Sequence, residues 1–230
     1  MSLDEELIKY LSQFITENKR NKIEDALQNR TNYLTVVLED IYQPHNASAV
    51  VRTCDCFGIQ KIHVIENKNL YKVNPDVTLG SSKWVDIIHH NKSPNNTRAC
   101  IEELKKSGYR IVATTPHNND TNLEDFPLDK KTALLFGTEA DGLSKEAIDM
   151  ADGFVKIPMF GFTESLNISV CAAICIHHLS MKLRSSGVNW QLSEDEKNGI
   201  RLNWLRGIIN RPDLLEKEFL DNFQKGKDTR

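Results

Sequence analysis

The sequence predicts an α/β domain built on a mostly parallel sheet, with helices on both faces and a helical extension at each end. Three observations predict it. Six short apolar or β-branched runs recur at Leu34–Asp40, Lys61–Glu66, Trp84–Ile88, Arg110–Thr115, Thr132–Phe136 and Phe154–Pro158. Several are nearly continuous rather than alternating, as expected of strands covered on both faces. Helical stretches at 46–57, 97–107, 143–150 and 167–186 lie between or after them, and strand–helix alternation favours a parallel sheet. The 230 residues, 40% hydrophobic and 27% charged, suit one sizeable soluble domain with appendages.

Taken in order, residues 2 to about 28 read as helical, with Leu3, Leu7, Leu11 and Ile15 every four residues and Ile23 and Leu27 continuing the stripe after the polar run Glu17-Asn18-Lys19-Arg20-Asn21. The α/β domain is expected over 31–187, leaving 1–30 and 188–230 as helical extensions. Within QPHNASAVVRTCDCFGI, Asn46 is a natural N-cap and Gly58 a natural helix terminator. Ser48, Arg52 and Asp55 share a face of that helix, away from the apolar stripe of Ala47, Val50, Val51 and Cys54. The last helix of the domain starts at Asn167, a second N-cap candidate, and is apolar almost all round, which predicts a central position. The tail carries SEDEKNGIRLNWLRGII and, after Pro212, DLLEKEFLDNF.

The composition excludes several classes. No apolar run approaches the ~20 residues of a membrane span. The N-terminal MSLDEELIKYLSQFI is acidic and helix-patterned, unlike a signal peptide, so a cytoplasmic protein is expected. A net charge of −3 means that any surface for RNA must be locally basic. The five cysteines are odd in number and scattered, which is not a disulfide framework, and their spacing shows no zinc site. Cys54 and Cys56 point to different helix faces, whereas Cys171 and Cys175 share one. His177-His178 lies in a helix interior and reads as packing or surface; His45, beside Asn46, is held open. There is no G-x-G-x-x-G, no G-x-x-x-x-G-K-[ST] and no G-x-S-x-G, so dinucleotide, P-loop and hydrolase-elbow chemistry is not indicated.

Parallel sheets bind ligands beyond the carboxyl ends of their strands. Here those ends read Thr114-Thr115-Pro116, FGTEADGL from Phe136, and IPMFGFTESLNISV from Ile157. Gly137 allows close approach to the backbone, and Glu139, Glu164, Ser165 and Asn167 offer polar groups nearby.

Three stretches together resemble the TrmH-type RNA ribose 2′-O-methyltransferases of the SPOUT superfamily: PHNASAVVRTCDCFGI, LLFGTEADGLSKEAIDMAD and IPMFGFTESLNISVCAA. The flanks NKIEDALQNRTNYLTVVLED and LSEDEKNGIRLNW are similar to those of the bacterial tRNA (guanosine-2′-O-)methyltransferase branch. The resemblance implies a deep C-terminal trefoil knot, S-adenosylmethionine as cofactor, and a homodimer whose active site is completed across the interface. By match it implies Thr114, Gly137, Ile157 and Leu166 at the cofactor. It implies Asn46, Arg52, Glu139, Ser165 and Asn167 as catalytic residues; no metal is expected, as the cysteine spacing already indicated. The expected substrate is a D-loop guanosine of tRNA, with ribosomal RNA or another tRNA position as the rival. A non-catalytic RNA-binding relative is disfavoured because all five polar positions are present. Lys19, Arg20, Lys22 and Arg30 near the N-terminal helix, with Lys182 and Arg184 at the end of the long one, are the candidate RNA contacts.

Overall fold

All six expected strands form, and a short seventh joins them: β1 (Leu34–Glu39), β2 (Lys61–Ile65), β3 (Asp86–His90), β4 (Arg110–Thr114), β5 (Thr121–Asn122), β6 (Thr132–Phe136) and β7 (Gly153–Lys156). The computed structural model describes residues 2–72, 74–115 and 121–228, with side chains as far as Gln224. Pro116, expected at the end of β4, lies outside them. The strands pair in the order β3-β2-β1-β6-β4-β7-β5, every pair parallel.

The pleat sends alternate residues to opposite faces. Leu34, Val36, Leu38, Val112, Leu134 and Phe136 pack against α3 (Pro44–Phe57) and α7 (Ile168–Arg184). Val37, Ile111, Ala133 and Leu135 pack against α5 (Asn96–Lys106) and α6 (Lys145–Met150). Both faces are therefore dry, which is why these strands read as continuous apolar runs. A short α4 (Pro75–Thr78) lies between β2 and β3, where the Asn74 amide donates to Ser48 Oγ at 2.8 Å.

Local chemistry moves some boundaries. The strand expected at Trp84 begins two residues later, because Ser81–Lys83 forms a 3₁₀ turn closed by the Trp84 amide on the Ser81 carbonyl. Asn46 does not cap α3. Gln43 holds the cap position and Pro44 opens the helix, where a missing N–H costs nothing. Asn46 sits inside the first turn, and its side chain is released for other partners. Gly58 ends α3 with a left-handed φ of 78°, as expected.

Residues up to Arg30 and from Gln191 onward form one compact unit, and Thr31–Trp190 form another. The N-terminal stretch expected to be helical forms two helices, α1 (Leu3–Leu11) and α2 (Glu17–Gln28). Thr16 is extended and caps α2, accepting from the Lys19 amide at 3.3 Å, so the break precedes the polar run. The unit is completed by α8 (Glu194–Ile208), opened by a Ser193–Glu196 capping box, and α9 (Pro212–Asp228). Leu11, Leu27, Ile200 and Leu205 are buried in it, and Arg201 holds Glu24 through two hydrogen bonds of 2.7 Å. No helix among the described residues is long and apolar enough to cross a membrane.

Under the edge of the sheet, β2, β3 and α5 bring together His63, His90 and Cys100, their ligand atoms within 4.8 Å of one another. Cysteine spacing could not reveal this cluster, since its members come from three elements. His63 Nδ1 and His90 Nε2 lie 3.0 Å apart and the ring centroids 5.3 Å apart, so the rings meet end to end and share one proton. Burial, and then the neighbouring His90, lowers the His63 pKa to about 4; burial also lowers that of His90. The folded state thus keeps His63 neutral while the unfolded chain protonates near 6.5. This contribution is complete above pH ~6.5 and is lost as the pH falls towards 4, on the order of 1–3 kcal/mol. Denaturant unfolding between pH 7 and 4.5 should show the decline, and His63→Gln should flatten it.

Candidate active site

A cavity of about 390 Å³ opens over the carboxyl ends of β4, β6 and β7. Thr114, Gly137, Ile157 and Leu166, the four positions expected at a cofactor, all line it. Thr114 turns its hydroxyl inward to the Leu135 carbonyl at 2.8 Å, leaving its backbone at the rim. Ile157, Leu166 and Met159 supply apolar walls, while Thr115, Glu164 and Ser165 supply polar groups. That mixture suits a ligand with an aromatic base and a charged tail. Cys171 and Cys175 also line the cavity. Their shared helical face was legible, but its orientation towards the cavity was not.

Gly137 carries a second constraint besides lining the cavity. A Cβ on it would lie 2.1 Å from the carbonyl carbon and oxygen of Gly142 and 2.3 Å from the Leu143 nitrogen. The close approach is therefore that of the chain to itself. Thr138 and Gly142 exchange backbone hydrogen bonds of 2.9 and 3.0 Å, closing a tight loop over Gly137. Gly142 closes it at a left-handed φ of 68°. The loop is pinned where it leaves, because the buried Glu39 carboxylate accepts from Ser144 N at 2.8 Å and Ser144 Oγ at 2.7 Å. Strand β1 thus fixes the frame that presents Glu139.

Glu139 joins Asn46 and Asn167 in a hydrogen-bonded triangle. Asn46 Nδ2 donates to Glu139 Oε1 at 3.0 Å and to Gln43 Oε1 at 3.3 Å. Asn167 Nδ2 donates to the same Glu139 oxygen and, at 3.2 Å, to Asn46 Oδ1. Asn167 also caps α7, its Oδ1 accepting from Ser169 N at 2.9 Å and Val170 N at 3.4 Å. One side chain serves both the helix end and the polar triangle. Ser165 is exposed at the cavity rim beside it.

Arg52 is not brought to this triangle. It stands exposed on α3 with no hydrogen-bond or ion-pair partner among the described residues. On the same side of α3, Ala49 lines a shallow apolar depression with Phe57, Val170, Ala173 and Ile174, and both Val170 and Ile174 are exposed. His177 is exposed, lines this depression and meets Phe57 edge-on at 5.4 Å, in keeping with a surface residue that packs on one side, and His45 is exposed.

The basic residues divide. Lys22 is exposed, and Arg20 is exposed while donating to the Ser12 carbonyl at 2.8 Å. Arg30 does not belong with them: it is 4% exposed, its guanidinium 5.3 Å over the Trp204 ring, and works as part of the core. Lys182 and Arg184 are partly spent on the fold. Lys182 donates to the Glu124 carbonyl at 2.8 Å, and Arg184 lies over Trp190 and donates to the Phe57 carbonyl at 3.1 Å.

A cavity over the strand ends, walled by apolar groups and edged by fixed polar ones, is the layout of an α/β enzyme that works on a bound cofactor. The profile of the SpoU rRNA Methylase family matches residues 33–177, and the chain belongs to that family. It is 46% identical, over 93% of its length and 98% of the relative's, to the tRNA (guanosine(18)-2′-O)-methyltransferase of Borreliella burgdorferi. Its fold is similar to the crystal structure of the Aquifex aeolicus TrmH/SpoU tRNA modifying enzyme, with a TM-score of 0.75 and 30% identity, covering 84% of this chain and 98% of that one. It is also similar to the SpoU methyltransferase AviRb of Streptomyces viridochromogenes in complex with AdoMet, with a TM-score of 0.60 and 25% identity, covering 70% and 65%.

Proposed function

We propose that the chain transfers a methyl group from S-adenosylmethionine to the ribose 2′-hydroxyl of a D-loop guanosine in tRNA, the position numbered 18 in the relatives' names. The observation that carries this is the Asn46–Glu139–Asn167 triangle at the mouth of the strand-end cavity. The cofactor supplies an electrophilic methyl on a sulfonium sulfur. Ile157 and Leu166, which line the cavity, would flank its aromatic base, and backbone groups around Thr114 and Gly137 would bond its edge.

A ribose hydroxyl is a poor nucleophile until its proton is shared or removed. Arginine stays protonated, with a pKa above ~12, so Arg52 is an awkward base. It serves instead as a bidentate clamp on the phosphate next to the ribose, and that phosphate receives the proton. Ser165 and Asn167 orient the ribose, and Glu139 holds both carboxamides in place. Positioning of this kind supplies much of the rate.

Arg52 reaches such a site from a second copy of the chain. The apolar depression beside it, with Val170 and Ile174 exposed, is the face through which two copies pair, each lending Arg52 to the other. Likeness in fold to the TrmH and SpoU structures supports a chain threaded as a deep trefoil knot, an exception to the usual unknotted rule. The protein acts in the cytoplasm.

Mapping 2′-O-methylated riboses in total RNA from cells with and without the protein tests the reaction. A lost methyl at the D-loop guanosine is expected, and an unchanged tRNA map would refute it. The phosphate contacts of the helical extensions are assigned to Lys19, Arg20 and Lys22 of α2. Neutralising all three should weaken tRNA binding and reduce the slope of log K against log salt by about 2–3. An unchanged slope would make α2 a structural element only.

A further inference from the structure

The strand-end cavity has a neighbour that the reaction outlined above leaves unassigned. A second cavity of about 320 Å³ lies on the other side of Glu139 and shares Thr138, Glu139, Ala140, Asp141 and Ile168 with the first. Its remaining walls are Ile41, Tyr42, Gln43, Asn46 and Asn69. The two cavities therefore meet along the loop that presents Glu139 to the polar triangle.

We infer that this second cavity takes the target base, turned out of the RNA, and reads it as guanine through Asp141, Gln43 and Tyr42. The inference rests on the proposed methyl transfer to a guanosine ribose. A ribose held at Glu139 with its hydroxyl towards the first cavity must place its base on the other side. An unstacked base is read on its Watson–Crick edge and by stacking on an aromatic ring. Guanine offers two adjacent donors, N1–H and the N2 amino group, and one acceptor, O6.

The cavity walls complement that set. The Asp141 carboxylate has no hydrogen-bond or ion-pair partner among the described residues, while its backbone N–H is tied to Thr138 Oγ1 at 3.0 Å, so the residue is placed but its acceptors are open. Two adjacent carboxylate oxygens match two adjacent donors. Gln43 Oε1 is engaged by Asn46 at 3.3 Å, which directs its amide nitrogen elsewhere as a donor suited to O6. Tyr42 is 76% exposed at the rim, a ring with a free face for stacking.

The far wall is built with comparable care. Asp40, at a left-handed φ of 52°, takes the backbone N–H groups of Asn67, Lys68 and Asn69 on one carboxylate oxygen at 2.7, 2.8 and 3.3 Å. Asn69 Nδ2 returns a bond of 2.8 Å to the Asp40 carbonyl. The segment that closes the cavity is thus held against the end of β1. Adenine would set its unprotonated N1 against the Asp141 carboxylate, two acceptors with no proton between them. Hypoxanthine, the base of inosine, would keep N1–H and lose the N2 amino group.

The test is single-turnover methyl transfer on tRNA transcripts carrying guanosine, inosine or adenosine at the target position, with wild type, Asp141→Asn and Tyr42→Ala. Wild type should lose about 10- to 100-fold on inosine, as for one base contact removed, and more on adenosine. Asp141→Asn should lose a similar factor on guanosine and bring the guanosine-to-inosine ratio towards one. Tyr42→Ala should lose rate on all three bases alike. Because Asp141 also borders the first cavity, the ratio within one variant is the deciding number: weaker cofactor binding cancels from it. Equal rates on guanosine and inosine by wild type, or an undiminished ratio in Asp141→Asn, overturn the base pocket while leaving methyl transfer standing. Wild type that methylates no tRNA transcript overturns the reaction, and the pocket with it.

Discussion

Arg52→Ala is expected to slow methyl transfer to tRNA by about 10²- to 10³-fold, the loss typical when one group that stabilises developing charge is removed, with cofactor affinity unchanged. The side chain is exposed on α3 and does not line the strand-end cavity, so its removal leaves the fold and that cavity alone. Its distance from the triangle makes a second expectation possible. Arg52→Ala and Glu139→Gln proteins, each nearly inactive, should recover activity when mixed and allowed to exchange partners. In a mixed pair, one site receives an intact Glu139 from the first chain and an intact Arg52 from the second. Random pairing would then restore about a quarter of wild-type activity, since half the pairs are mixed and one of their two sites is whole. A mixture no better than its parents would place Arg52 at work within its own chain. Loss of cofactor binding by Arg52→Ala would assign it to the wrong partner altogether.

The contrast between Arg52 and Asn167 shows what the sequence could carry. Asn167 was legible because its capping role is local: an amide before an apolar helix satisfies the first N–H groups, and the structure shows those bonds. Asn46 looked equally like a cap, yet Pro44 opens the helix earlier, and only the folded chain shows its amide turned to Glu139, far along the sequence. The parallel sheet was legible for a comparable reason, since strands dry on both faces must be apolar throughout. The strand order was not, because pairing of β6 between β1 and β4 is a tertiary outcome with no local signal. Arg30 marks the same limit from the other side. A cation next to Lys19, Arg20 and Lys22 in sequence reads as surface, but in the fold it lies on Trp204 from the opposite end of the chain. Asp141 and Gln43 lie in stretches read for their neighbours and Asn69 in none, and only the cavity unites the three.

Gly137→Ala should be the most damaging of the alanine substitutions at Gly137, Gly142 and Gly153. The new Cβ would meet Gly142 and Leu143 backbone atoms at 2.1 to 2.3 Å, and backbone cannot swing aside as a flexible side chain can. The loop would have to lift, yet it is held at both ends. One end is Phe136 in β6, fully buried, and the other is Ser144, bound to Glu39. Lifting it would carry Glu139 away from Asn46 and Asn167 and distort the cavity wall, so fold and site should fail together. A cost of several kcal/mol corresponds to a drop in Tm of roughly 10 °C for a chain of this size, with cofactor binding lost even below that Tm. Two other glycines separate this cause from a general intolerance of alanine. At Gly142 a Cβ meets nothing within 4 Å, but the φ of 68° is left-handed, so Gly142→Ala should cost about 1–2 kcal/mol and keep some cofactor affinity. At Gly153 neither restriction applies, and Gly153→Ala should be nearly silent. The order 137, 142, 153, read by thermal unfolding and cofactor titration, is expected only if the chain itself fills the space above Gly137. Should Gly137→Ala stay stable and lose cofactor binding alone, the space above it belongs to the ligand after all.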